Sequence, residues 1–178
     1  MSDVLQVIAQ RSSTRKFKEE APTKEQIEQL VIAGLHAPTA KNEQEIHISV
    51  LEGTSPILQE IEQEKRRILG ADANANPNNS FYQAPVVFIL SADKDLRWSK
   101  LDAGICVQSI ALAAEELGLG SLIVGSVYDA LYGEKKAYFE ELLQLPQNYE
   151  FAIAIALGYK DTQKTPHEIN LEKNVTYI

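Results

Sequence analysis

Residues 101–125 read LDAGICVQSIALAAEELGLGSLIVG. From Ser99 to Leu117 the apolar residues recur at helical spacing. Ala103, Cys106, Ile110, Ala113 and Leu117 form one stripe, which Ile105 and Leu112 widen. A helix so broadly apolar is expected to be covered on most sides. Gly118 suits the left-handed position just past a helix C-terminus, and "LIVG" behind it reads as a short strand. A long covered helix running straight into a strand needs a sheet to lie on, and the rest of the chain must provide it.

The flanking sequence does so. "PVVFILSA" (85–92) is a fully buried strand, and "EFAIAIALGY" (150–159) reads as a strand central to a sheet. In "IHISVLE" (46–52), Ile46, Ile48 and Val50 alternate with His47 and Ser49, as in a half-buried strand. Between the strands lie helical patterns. Ser2 or Asp3 caps a short helix carrying Val4, Leu5 and Ile8. Thr23 and Gln26 form a capping box for a helix reaching about His36. Ser55 and Pro56 open a helix over "TSPILQEIEQEKRRIL", and "EKKAYFEELLQL" is another, with Pro146 beyond it. "GADANANPNNS" (70–80) is an Asn-rich surface loop. About four strands separated by five helices predict a layered sandwich of helices and sheet. The short strand after Gly118 and a C-terminal arm over 159–178 do not suit a regular doubly wound sheet, so the class is α+β. No repeat or linker divides the chain, and one domain spanning 1–178 is expected.

Composition narrows the function. The 178 residues carry a net charge of −8. That balance argues against a broad nucleic-acid or anionic-membrane surface. The longest apolar run is too short to span a bilayer, and the N-terminus lacks a signal peptide's basic flank and cleavage site. Cys106 is the only cysteine, which excludes an intrachain disulfide and makes the cytoplasm the expected compartment. His36, His47 and His167 show no metal-ligand spacing, so no metal is expected. No carboxylate pair stands out as acid and base, and Cys106, on the apolar stripe, reads as inert core.

Three segments carry candidate chemistry. "AQRSSTRKFKEEAP" (9–22) gathers Arg11, Arg15, Lys16 and Lys18 around Ser12, Ser13 and Thr14. Arg11, Ser12, Ser13 and Arg15 have the groups to clamp a phosphate; the alternative is a solvated basic loop. "APTAKNEQ" (37–44) offers Pro38, Thr39, Asn42 and Gln44, whose amides suit a heteroaromatic edge; the alternative is a surface turn. "GLGSLIVGS" (118–126) has three glycines that let backbone approach a flat ligand. It follows a helix, so it is not the dinucleotide fingerprint.

Taken in order, "QRSSTRKF", "AGLHAPTAKNEQ", "FYQAPVVFIL", "LDAGICVQSIALAAEELGLGSLIVG" and "LLQLPQNYEFAIAIALGYK" resemble the flavin-dependent nitroreductase family over nearly the whole chain. The resemblance implies a mainly antiparallel central sheet flanked by helices, in a homodimer whose subunits exchange terminal segments. It implies FMN at the interface, reduced by NAD(P)H and reoxidised by a nitroaromatic, quinone or related acceptor in a ping-pong cycle. Carried over residue by residue, Arg11, Ser12, Ser13 and Arg15 match the phosphate and ribityl contacts. Pro38, Thr39, Ala40, Asn42 and Gln44 match a loop supplied by the partner subunit. Val124, Gly125 and Ser126 match the segment beside the isoalloxazine, and Asn76 matches an Asn that reaches the flavin. The chemistry is then the cofactor's, with no catalytic side chain. Two departures stand out: Glu45-Ile46 replaces the family's Pro-Trp, and Asn170 stands where an Arg is expected in the arm. The competing expectations are a flavin-binding storage or sensing module with little turnover, and a cofactor-free protein that binds a small anion.

Overall fold

The computed structural model describes residues 4–70, 79–162, 164–165 and 167–178. Its sheet holds strands β1 (Ile46–Glu52), β2 (Val86–Asp93), β3 (Leu119–Val124) and β4 (Tyr149–Tyr159) in the order β1-β2-β4-β3. Every neighbouring pair is antiparallel. The helices are α1 (Val4–Gln10), α2 (Lys24–Leu35), α3 (Pro56–Leu69), α4 (Ser99–Glu116), α5 (Tyr128–Tyr132), α6 (Lys136–Leu142) and α7 (Leu171–Asn174).

Strand alternation divides the sheet between two cores. Val86, Phe88 and Leu90 of β2 join Ile155 and Leu157 of β4 beneath Leu30 of α2 and Cys106, Val107 and Ile110 of α4. Val87 and Ile89, with Ala154 and Ala156, face Leu58 and Ile61 of α3 and Phe139 of α6. Both inner strands are therefore apolar on both faces, which is why they read as unbroken apolar runs rather than alternating ones.

The structure corrects several expectations. α5 and α7 are short helices that the sequence pattern did not show. β3 begins at Leu119, so part of "GLGS" is strand; Gly118 alone takes the left-handed turn, at φ 74°. Val50, on the edge strand β1, is exposed; Leu51 is buried on the other face instead. Ser55 sits at the start of α3 but makes no side-chain cap. Finally, α4 is covered on one side only within a single chain. Leu101, 60% exposed, and Ile105 lie bare, beside Val4, Leu5 and Ile8 of α1, which packs along α4. Among the described residues no helix is long and apolar enough to cross a membrane.

Candidate functional site

The basic stretch is fastened to the free edge of the sheet. Thr14 N–H donates to the Ser121 carbonyl of β3 (2.9 Å), Lys18 N–H donates to Tyr159 O (2.9 Å), and Asp161 N–H donates to Lys16 O (3.0 Å). Thr14 is only 3% exposed and sits against Gly120. A Cβ at Gly120 would stand 2.6 Å from Thr14 Oγ1 and 2.9 Å from its Cγ2. Gly120→Ala is therefore expected to destabilise the chain by about 1–3 kcal/mol through overpacking. In a Thr14→Ala background two of the three close atoms are gone, leaving only Lys160 Cγ at 2.9 Å on its flexible side chain, and the loss should shrink. Denaturant unfolding of the four proteins of this cycle measures the coupling; independent losses would disprove it.

Pinned this way, the segment divides its cations. Lys16 pairs with Asp161 at 2.6 Å. The guanidiniums of Arg11 and Arg15 make no hydrogen bond or ion pair with any described residue. Ser12 and Ser13 lie half-buried between them. Unpaired arginines beside two hydroxyls, on a backbone fixed to a sheet, form an arrangement suited to an anion.

At the end of the same strand, Val124 is buried, whereas Gly125 and Ser126 are exposed. A Cβ at Gly125 would touch only Ile153 Cδ1, at 3.7 Å. Internal packing does not demand a glycine there, so the space it leaves open is outside the chain. Sequence reasoning missed Lys65 of α3, whose Nζ donates to Ser80 Oγ (2.7 Å) and to Ser126 Oγ (3.5 Å). Ser80 in turn donates its hydroxyl to Glu62 Oε2 (2.7 Å). Nothing in the run of charges along α3 marks that one lysine.

The third group is the loop between α2 and β1. Thr39 Oγ1 accepts from Gln44 N–H (3.0 Å), and Gln44 Nε2 donates to Asn42 Oδ1 (3.2 Å). Lys41, Asn42 and Gln44 have φ of 57°, 58° and 54°, three non-glycine residues in the left-handed region. Such residues persist only where their surroundings fix them. Here Asp102 of α4 accepts from Ala40 N–H at 2.9 Å. Pro38, Asn42 and Gln44 are exposed, while Thr39 and Ala40 are half-buried. None of these hydrogen bonds ties the loop to the basic segment or to Gly125. Asn76 lies outside the described residues. Asn170, which stands where an Arg was expected, caps α7 by accepting from Lys173 N–H (2.8 Å). Burial raises the Cys106 thiol to about 11, consistent with an inert core residue.

This fold is shared with solved nitroreductase structures that contain FMN. A nitroreductase with bound FMN from Desulfitobacterium hafniense superposes with a TM-score of 0.89 at 30% identity, over 100% of this chain and 99% of that one. An FMN-dependent nitroreductase from Clostridium difficile gives 0.84 at 27% identity, over 99% of each chain. Among curated proteins, the NADPH-flavin oxidoreductase of Vibrio harveyi is 27% identical over 178 residues, covering 90% of this chain and 67% of that protein. Residues 8–159 match the Nitroreductase family profile, and the chain belongs to that family of oxidoreductases.

Proposed function

We propose that this protein binds FMN and uses NAD(P)H to reduce nitroaromatics, quinones or related acceptors in alternating half-reactions. The observation that carries this reading is the pair Arg11 and Arg15, left without partners among the described residues on a segment fixed to the strand that ends at the open Gly125. The residues present fit FMN: two arginines and two hydroxyls answer a phosphate, and an unobstructed glycine answers a flat ring. When bound, the flavin supplies the hydride- and electron-accepting chemistry.

The chain's own residues bind and orient. Arg11 and Arg15 neutralise the phosphate, and Ser12 and Ser13 add hydrogen bonds. The Gly125 backbone N–H would donate to the flavin ring and steady its charge. Pro38, Thr39, Ala40, Asn42 and Gln44 serve the flavin of the partner subunit in a homodimer. The bare faces of α1 and α4 and the exposed Ile169, Leu171 and Tyr177 of the arm support that assembly. A stable FMN-loaded monomer in sedimentation would refute it.

The test is anaerobic addition of NADH and NADPH to the FMN-loaded protein. Bleaching of the flavin, with parallel double-reciprocal lines when a quinone or nitroaromatic is varied, is the expected result. Bound FMN that neither nucleotide reduces would leave a storage or sensing module. Gly125→Val separates site from scaffold. Stability should stay within about 0.5 kcal/mol, as for a surface change, while FMN binding or its reduction is impaired. Unimpaired flavin reduction in that variant would remove Gly125 from the site.

A further inference from the structure

Beside the loop that precedes β1 lies a cavity of about 310 Å³. Its walls carry Glu43, Glu45, Lys41 and Arg97, the indole of Trp98, and Asp102 at the start of α4. Glu45 is 4% exposed, and its Oε2 accepts no hydrogen bond. A buried carboxyl oxygen without a donor is rare and costly. The other buried glutamate, Glu64, is answered by Arg67 at 2.7 Å and Lys135 at 3.1 Å. Glu45 has no such partner among the described residues. Arg97 is stacked over Trp98 instead, 4.6 Å from the ring centroid, and Asp102 already accepts from Ala40 N–H. Burial, with the nearby carboxyls of Asp102 and Glu43, holds Glu45 above the usual carboxylate range. Tyr149 is also raised, by burial and by the charges of Asp93 and Glu45.

We propose that this cavity binds a small organic cation, an amidinium or primary ammonium, whose N–H groups donate to Glu45 and Asp102 while its apolar body lies against Trp98. A planar cation with two N–H groups matches adjacent carboxyl oxygens, and the indole face attracts positive charge. A metal ion fits poorly, since no group of three or more His, Cys, Asp or Glu among the described residues could hold one. Without ligand, Glu45 Oε2 has no hydrogen-bond partner among the described residues. A bound cation would bring that oxygen an N–H donor and offset the cost of burying its charge. Ala40, which also lines the cavity, belongs to the loop assigned above to the partner subunit's flavin, and an occupant would brace that loop from Ala40 to Glu45 against α4.

The probe is benzamidine, with benzamide as its uncharged isostere, titrated calorimetrically into the full chain. Benzamidine should bind at least about tenfold more tightly than benzamide. Glu45→Gln, whose amide removes the charge at similar size, and Trp98→Ala, on the surface, should each weaken benzamidine at least about tenfold with the melting temperature held. Equal binding of the two probes, unchanged affinity in Glu45→Gln, or no heat up to about 10 mM benzamidine would each overturn the proposal.

Discussion

Alanine at Arg11 or at Arg15 is expected to weaken FMN binding by roughly ten- to over a hundredfold, and to leave riboflavin affinity unchanged. A hydrogen bond to a charged group contributes about 1.5–3 kcal/mol, which sets that range. The chain's net charge of −8 repels an anion at distance, so the local guanidiniums must do the holding. Among the described residues neither arginine is committed elsewhere, whereas Lys16 is paired with Asp161 and Asn170 is committed to a helix cap. Lys18→Ala, on the flank, should change little. Titration of the three variants with FMN and with riboflavin measures this. Equal losses for the two ligands would mean that the segment does not hold the phosphate.

Replacing both Arg67 and Lys135 by methionine should destabilise the fold by about 3–5 kcal/mol at neutral pH, the penalty for stranding a buried charge. Their shared partner, Glu64, is 1% exposed. Hydrogen bonding to Arg67, then to Lys135, holds its carboxyl at about 2, below its ordinary 4.5. In the natural protein this contribution is full above pH 4.5 and fades as pH falls towards 2. In the double variant burial acts alone and raises the carboxyl. Stability is then greater in acid and declines as pH rises through the raised value. The difference between the two proteins should open from acid towards neutrality. Glu150, held at about 2 chiefly by Lys100 and Lys136 against the opposing effect of burial, is common to both and cancels. Urea midpoints across pH 3–8 test this; a gap constant with pH would exclude Glu64 as its cause.

The inner sheet was legible because β2 and β4 are buried on both faces, and such strands write themselves as continuous apolar runs. α2 was legible because Thr23 and Gln26 do form both bonds of a capping box. α5 and α7 escaped because five and four residues are too few to show a helical period. The bare side of α4 escaped because hydrophobicity states that a surface is to be covered, not which chain covers it. In the site, Arg11, Ser12, Ser13 and Arg15 could be picked out by residue type, but their freedom from internal partners could not. Lys65, Asp102 and the buried side chain of Glu45 are brought to their places by contacts across 15 to 62 positions of sequence. No local pattern encodes that.

The way the basic segment is held gives it a second use. Among the described residues it is joined to the sheet by two backbone hydrogen bonds, donated by Thr14 and Lys18, and by a third from Asp161, just past β4. Segments held so sparsely open far more often than the whole molecule unfolds. The amide of Thr14 should therefore trade its hydrogen for deuterium much sooner than amides within β2 and β4. Any anion that bridges Arg11 and Arg15 would slow that trade. One peptide covering residues 11–18 would thus report occupancy by isotope mass alone, with no need for colour or turnover.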